Sequence, residues 1–144
     1  MGMKPVFKKV LQVGLVVRNV DEAVVKYEQF GIGPWKIREY GPSNISNLTV
    51  RGKRIDFSIR AAFAKIGEVE MELIEPLDEK SIYAEFLKLH GEGLHHLALD
   101  IDGFEKTISL FESKGVGVLQ GGSGFAYLDS EKALSFIAEL YDRP

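Results

Sequence analysis

The chain has 144 residues, of which 45% are apolar and 27% are charged, which predicts one soluble domain, or two small halves that share a core. A net charge of −3 and the lack of any apolar run near the roughly 18 residues of a membrane span give no reason to expect a nucleic acid or a membrane as partner. The chain has no cysteine, which excludes disulfides, thiol nucleophiles and zinc–thiolate sites and fits the reducing cytoplasm where we expect the protein to lie.

The first half of the chain predicts a strand, a helix and three further strands. An apolar strand over residues 7–17 precedes a helix that begins near Asn19 and ends at Gly31. Alternating apolar and charged residues predict a strand over 35–40, and a hairpin follows at 55–64 and 69–74. Residues 41–53 are rich in turn formers and predict a loop. A short amphipathic helix at 81–90 then links the halves.

The second half predicts the same order of elements. A strand over residues 94–101, a helix over about 102–114 and a strand over 116–119 come first. A glycine-rich turn at 121–124 leads to strands over 125–128 and 134–141. The chain therefore predicts a βαβββ order twice, with a linker helix between the halves.

The two halves are also related in sequence. Residues 12–33 align with residues 96–117 without a gap, and each copy runs from an apolar strand through a helix to a Gly-x-Gly turn. Each copy opens with a side chain that can bind a metal, Gln12 in the first and His96 in the second. The final strands match as well, since Glu72 and Glu139 each precede a leucine there. The repeat thus marks four polar positions inside apolar strands.

These four positions predict one ligand set if equivalent strands lie on opposite sides of a pseudo-twofold axis. An imidazole, two carboxylates and an amide oxygen suit a divalent ion in six-coordinate geometry, with two positions open for water or substrate. The alternative is that each glutamate lies on the solvent face of its strand, which is the more common case. His95 and His96 are adjacent, so one of them can be a ligand while the other is structural.

At these residues the chain resembles the vicinal-oxygen-chelate superfamily, which includes glyoxalase I, methylmalonyl-CoA epimerase, bleomycin-resistance proteins and ring-cleaving dioxygenases. The resemblance covers nearly the whole chain and is closest to the epimerase-like branch, through segments 71–77 and 91–99. It implies an α+β fold in which two tandem βαβββ modules form a cupped mixed sheet around a central metal site. We expect one domain over 1–144, with module one at about 7–76, the linker helix at about 79–90 and module two at about 94–142.

By position, the resemblance implies that Gln12, Glu72, His96 and Glu139 bind one divalent ion, with Co, Mn, Ni, Zn and Mg all open. Epimerases usually have His at the first of these positions, whereas Gln occurs there in some glyoxalase I enzymes. Glu139 would serve as both ligand and base. Asp56 would be the second acid that an epimerase needs, and the alternative for Asp56 is an exposed residue at a strand start. The resemblance also implies a homodimer.

Three cations lie in a stretch without acidic residues, Arg51, Lys53 and Arg54. They can meet the phosphates of coenzyme A, although a solvated loop is the more common reason for such a cluster. Trp35 predicts either a core side chain or the wall of a substrate pocket.

Three functions follow from the resemblance and the residues. The first is a metal-dependent isomerase of methylmalonyl-CoA epimerase type, which removes the proton next to a thioester carbonyl. The second is a glyoxalase I-like lactoylglutathione lyase that acts on a hemithioacetal. The third is a small-molecule binding or resistance protein without turnover.

Overall fold

The computed structural model describes residues 4–143. In chain order its elements are β1 (Val10–Val16), α1 (Val20–Gln29), β2 (Lys36–Tyr40), β3 (Thr49–Val50), β4 (Lys53–Arg54), β5 (Ile59–Ile66), β6 (Val69–Pro76), α2 (Ile82–His90), β7 (Gly93–Leu99), α3 (Phe104–Ser113), β8 (Val118–Gly122), β9 (Phe125–Leu128), α4 (Glu131–Leu134) and β10 (Ile137–Tyr141). Asn19 begins α1 as predicted, because its side chain accepts a hydrogen bond from the Glu22 backbone N–H. None of these helices is long and apolar enough to cross a membrane.

All of these strands join one strongly curled mixed sheet, in the order β2-β5-β6-β1-β7-β10-β9-β8-β3-β4. At its centre β1 pairs antiparallel with β7, and each of the two pairs in parallel with the last strand of its own half, β6 or β10. Antiparallel strands extend the sheet outward on both sides, β5 and β2 in the first half and β9 and β8 in the second. On each side of the β1–β7 contact, the strands of one half therefore follow in the same order, β1-β6-β5-β2 on one side and β7-β10-β9-β8 on the other. This confirms the predicted α+β fold of two βαβββ modules.

The two faces of the sheet have different cores. The concave face carries a buried cluster that includes Val16, Ile74 and Tyr127 and that α2 extends with Ile82 and Tyr83. On the outer face, α1 packs on the first half and α3 packs on the second. Helices on the outer face leave the middle of the concave face to the functional site.

Residues 41–53, predicted as a loop, contain β3 and the first residue of β4. Leu48 and Val50 are buried, and β3 pairs with β8 of the other half. The loop prediction was therefore wrong for this part, because a two-residue strand between turn formers leaves no periodic pattern to detect.

The last strand begins later than predicted. The predicted strand began at residue 134, but Leu134 ends α4 and β10 begins at Ile137. Ser135 has a φ of 69°, and the Ser130 hydroxyl donates to the Phe136 carbonyl and accepts from the Ala138 backbone N–H. These contacts hold a tight turn before β10, which the apolar pattern of the segment does not reveal. The glycine-rich turn is also shorter than predicted, since β8 extends to residue 122.

Candidate functional site

The four predicted ligand residues lie on the four central strands, Gln12 on β1, Glu72 on β6, His96 on β7 and Glu139 on β10. Their exposed fractions are only 4%, 7%, 0% and 5%, so the solvent-face alternative does not hold for either glutamate. Three oxygens approach His96 Nε2, with Gln12 Oε1 at 3.1 Å, Glu139 Oε1 at 3.3 Å and Glu72 Oε1 at 3.6 Å. The structure thus brings the four donor side chains, hereafter the donor set, to one point of the concave face.

Gly14 makes room for the His96 ring. It lies opposite Glu72 on one side of β1 and opposite His96 on the other. A Cβ atom at Gly14 would overlap the Cε1 and Nε2 atoms of the His96 imidazole. The ring therefore occupies the space that any side chain at Gly14 would need, and the donor set requires glycine here. The sequence predicted no role for Gly14.

Two further side chains orient the amide of Gln12. Its Nε2 donates to Glu70 Oε1 at 2.8 Å, across the register of β1 and β6. Its Oε1 accepts from the Tyr141 hydroxyl at 3.2 Å, and that hydroxyl also lies 3.4 Å from Glu139 Oε1. Because the amide nitrogen faces a carboxylate, the amide oxygen is the atom that faces His96. Sequence reasoning missed both Glu70 and Tyr141, whose contacts become visible only with the strand register.

His95 supports the other side of the His96 ring. The two Nδ1 atoms are 2.9 Å apart, so one donates and the other accepts. His95 is buried against the rings of Tyr83 and Phe86. Desolvation, followed by the charge of His96, lowers the pKa of His95 well below its usual value. A neutral His95 can therefore accept the Nδ1 proton of His96, which leaves His96 Nε2 to face the oxygens.

The donor set places two carboxyl groups around one imidazole. Burial lowers the pKa of His96, but its hydrogen bonds to Glu139 and Glu72 and their charges outweigh that effect and raise the pKa to about 9. Burial raises the pKa of Glu72, against the lowering effect of His96. A divalent cation bound here would favour the ionised form of both carboxyl groups, because its charge would balance theirs.

The donor atoms suit a divalent ion in type, and two of the three distances from His96 Nε2 suit one in spacing. Two ligands that share an ion at about 2.1 Å are separated by about 3.0 Å in octahedral and about 3.4 Å in tetrahedral geometry. The distances of 3.1 Å and 3.3 Å from His96 Nε2 to Gln12 and Glu139 agree with this spacing. Across residues 4–143, no three His, Asp or Glu side chains are already arranged to hold an ion, so a carboxylate has to turn for the complete set to bind one.

An open cavity of about 310 Å³ lies over the donor set. Besides Gln12, Glu72 and Glu139, its lining includes Glu70, Tyr40, Phe63, Tyr83, Phe125, Tyr127 and Tyr141. Burial raises the pKa of the Tyr83 and Tyr127 phenols, which keeps both hydroxyls protonated and bonded to each other at 2.7 Å. The cavity, hereafter the donor cavity, therefore combines carboxylates on one wall with aromatic rings on the others, as small-molecule sites do.

The predicted cations and Asp56 lie elsewhere. Arg51 makes two hydrogen bonds to Glu85 of α2. Lys53 and Arg54 form β4 at one edge of the sheet. Asp56 is exposed and lies 3.5 Å from the Arg54 guanidinium. The structure does not bring these four residues to the donor cavity.

Trp35 lies beside the outer core of the first half. Its ring meets Tyr27 of α1 edge-on at 5.4 Å, and its Nε1 donates to the Ile32 carbonyl at 2.9 Å. It also lines a second cavity, so both predicted roles of Trp35, core side chain and pocket wall, agree with its position.

Residues 11–133 match a family model described as the glyoxalase/bleomycin resistance protein/dioxygenase superfamily. A 4-hydroxyphenylpyruvate dioxygenase from Legionella pneumophila is 34% identical over 73 residues, which are 50% of this chain and 21% of that protein. The match thus spans only about a fifth of the length of that relative.

Two solved structures share the fold. A methylmalonyl-CoA epimerase from Mycobacterium tuberculosis aligns with a TM-score of 0.66 at 20% identity, over 98% of this chain and 91% of that one. A methylmalonyl-CoA epimerase in complex with methylmalonyl-CoA and NH4+ aligns with a TM-score of 0.65 at 22% identity, over 93% of each chain. At these identities the likeness shows the fold, and function has to be argued from the site.

Proposed function

The chain belongs to the glyoxalase/bleomycin resistance protein/dioxygenase superfamily, and on that premise we propose that it is a metal-dependent isomerase that removes the proton next to a thioester carbonyl. The observation that carries this proposal is the convergence of Gln12, Glu72 and Glu139 on His96 Nε2 beneath an open cavity. The shared fold with methylmalonyl-CoA epimerases favours a thioester as substrate.

In this proposal Gln12, Glu72, His96 and Glu139 hold one divalent ion, with Co, Mn, Ni, Zn and Mg as candidates. When bound, the ion supplies Lewis-acid polarisation of a substrate carbonyl. The chain itself supplies orientation, since Glu70 and Tyr141 turn the amide oxygen of Gln12 inward. The aromatic walls of the cavity reduce the water around the charges, which strengthens their effect on a developing negative charge.

Glu139 is the proposed base. Its carboxylate lines the donor cavity and lies within reach of the Tyr141 hydroxyl. In the proposed step the C–H bond next to the carbonyl breaks, the proton passes to a Glu139 oxygen, and the electron pair moves toward the carbonyl oxygen. The cavity is open, so a water molecule can give a proton to the other face of the carbon as the electron pair returns from the carbonyl oxygen, and the resulting hydroxide takes the proton back from Glu139. Asp56, which lies outside the cavity, has no part in this proposal.

A glyoxalase I-like lyase that acts on a hemithioacetal is the second candidate. Gln12 favours it, because an amide rather than an imidazole stands at the first ligand position. Both reactions begin with the same proton removal, and they differ in the carbon to which the proton returns. In the epimerase the proton returns to the carbon that lost it, and in the lyase it returns to the neighbouring carbon.

Proton exchange in deuterated buffer tests the proposal. Metal-free protein is mixed with methylmalonyl-CoA, cobalt or manganese is added, and loss of the α-proton signal is followed by NMR. We expect exchange that depends on the metal and that falls about 100-fold or more in Glu139→Gln. Metal binding without exchange would refute the epimerase and direct the search to the hemithioacetal of methylglyoxal and glutathione. A protein that binds no metal would instead fit small-molecule binding without turnover.

A further inference from the structure

A second cavity, of about 360 Å³, lies next to the donor cavity and is hereafter called the tryptophan cavity. Its lining is Gly33, Pro34, Trp35, Lys36, Phe63, Ala64, Lys65 and Glu70. Phe63 and Glu70 also line the donor cavity. The two cavities are therefore neighbours that share these two side chains.

The strand register connects the two lysines of this cavity to the donor set. Residues that pair across adjacent strands extend from the same face of the sheet. One row of paired residues runs from Glu72 on β6 through Phe63 on β5 to Lys36 on β2. A second row runs from Gln12 on β1 through Glu70 on β6 to Lys65 on β5. Both lysines therefore begin on the concave face, in line with the donor residues.

The other residues of β2 confirm this assignment of faces. Tyr40, four residues after Lys36, lines the donor cavity. Glu39, three residues after Lys36, should extend from the other face of the strand. It accepts a hydrogen bond from Arg60, which also donates to Asp21 of α1 on the outer face. The alternation of side chains along the strand thus places Lys36 on the same face as Tyr40.

These lysines differ from Arg51 and Arg54, two of the three predicted cations, because neither lysine forms an ion pair within residues 4–143. Arg51 is paired with Glu85, and Arg54 lies beside Asp56. In the described part of the chain, no ion pair includes Lys36 or Lys65. Two exposed ammonium groups without a carboxylate partner are available to an anionic ligand.

We propose that Lys36 and Lys65 bind the phosphate-bearing end of the substrate in the tryptophan cavity. The inference rests on the proposed function, because it takes the reacting end of the same molecule to lie at the donor set. Two strand spacings, about 10 Å, separate Lys36 from Glu72. The anionic group would therefore lie roughly that far from the reacting carbonyl, with Phe63 beside the arm and Trp35 in the lining around the anionic end. A coenzyme A thioester has this form, with phosphates joined to the thioester by a long and mostly uncharged arm.

Fluorescence provides a direct test, because Trp35 is the only tryptophan of the chain. Coenzyme A is titrated into the wild type, into Lys36→Gln/Lys65→Gln and, as a matched control, into Lys53→Gln/Arg54→Gln. We expect a saturable change in Trp35 emission and an affinity about tenfold lower in the Lys36/Lys65 variant only, because charge-assisted hydrogen bonds to phosphate are lost. Pantetheine, which has no phosphate, should bind all three proteins alike.

Three results would overturn the inference. One is loss of coenzyme A affinity in the Lys53/Arg54 variant instead. Another is equal affinity of the wild type for coenzyme A and pantetheine. The third is binding of S-lactoylglutathione that depends on Lys36 and Lys65 while binding of coenzyme A does not.

Proton exchange on the same proteins separates this inference from the proposed function. The ratio of the exchange rate on methylmalonyl-CoA to that on methylmalonyl-pantetheine should be lower in the Lys36/Lys65 variant than in the wild type. If exchange is metal-dependent but the affinity for coenzyme A does not depend on the two lysines, the phosphate site is wrong and the proposed function stands. If neither thioester exchanges while coenzyme A still binds through the lysines, the phosphate site stands and the proposed reaction is wrong.

Discussion

Gly14→Ala tests the architecture of the site with a single added methyl group. The new Cβ would overlap the His96 ring, so either the ring or β1 has to move. Overpacking of this kind costs about 1–3 kcal/mol. Gly14 lies in β1, next to a register shift between β1 and β7, and alanine is otherwise the better residue in a strand by about 0.5–1 kcal/mol. The expected net loss in the free energy of unfolding is therefore about 0–2.5 kcal/mol.

The larger effect should be on metal binding, because a displaced His96 no longer directs Nε2 toward the three oxygens. We expect the affinity for cobalt to fall at least about tenfold in Gly14→Ala, measured by calorimetry, with stability measured by urea unfolding of the metal-free protein. Gly117→Ala is the matched control, since nothing lies within 4 Å of a Cβ built there. It should change neither quantity.

A double-mutant cycle can refute the reasoning. If the cost of the methyl group comes from the His96 ring, then Gly14→Ala should cost nothing in a His96→Ala background and should slightly stabilise the protein there. An equal loss of stability in both backgrounds would show that the added methyl group meets the backbone instead. Wild-type cobalt affinity in Gly14→Ala would show that the ring does not occupy this space.

Three further predictions concern side chains that support the site or the fold. Glu70→Gln should lower cobalt affinity about tenfold or more by calorimetry, because the carboxylate that orients the Gln12 amide is lost. His95→Phe should also lower cobalt affinity, about 10- to 100-fold, because a phenyl ring cannot accept the Nδ1 proton of His96. Ser130→Ala should lower the free energy of unfolding in urea by about 1–3 kcal/mol, because two backbone groups lose their buried partner.

Matched variants separate these effects from general damage. Glu68→Gln removes the same charge from the exposed β5–β6 turn, and we expect it to leave cobalt affinity unchanged. His95→Asn places an amide oxygen near the Nδ1 position and should recover part of the affinity lost in the phenylalanine variant. Ser130→Thr keeps the hydroxyl and should unfold closer to the wild type than Ser130→Ala. A reduced affinity in Glu68→Gln, or identical behaviour of the two His95 variants, would contradict the roles assigned to Glu70 and His95.

The donor set could be predicted from sequence because of the internal repeat. Equivalent first strands and equivalent last strands become the four central strands of the sheet, so equivalent polar residues on them meet. A single glutamate in a strand carries no such information, and Glu72 or Glu139 alone would have been assigned to the solvent face. The homodimer implied by the family resemblance stays a prediction.

The supporting residues could not be predicted in the same way. Glu70 and Tyr141 meet Gln12 across 58 and 129 residues of sequence, respectively. Which residue of a strand lies opposite Gln12 depends on the register, and a shift of one residue would turn Glu70 to the other face. The role of Gly14 depends on the register too, because glycine is common in strands for several unrelated reasons.

The three predicted cations lie away from the donor cavity, in a segment that makes one end of the duplicated sheet different from the other. Arg51 and Lys53 lie in a hairpin of the first half that pairs through β3 with β8 of the second half. The buried side chain of Leu48 and hydrogen bonds from Ser46 and Asn47 to Ser123 hold that hairpin over the β8 edge.

The corresponding edge of the first half, β2, has no such cover in the described chain. Two identical halves would offer a ligand two equivalent ends of the sheet and no reason to choose between them. The hairpin covers β8, and the cavity with Lys36 and Lys65 adjoins the donor cavity at the uncovered β2 end. The inserted hairpin therefore breaks the symmetry of the repeat, and it favours a single orientation of the proposed substrate, with its reacting end at the centre and its phosphates toward β2.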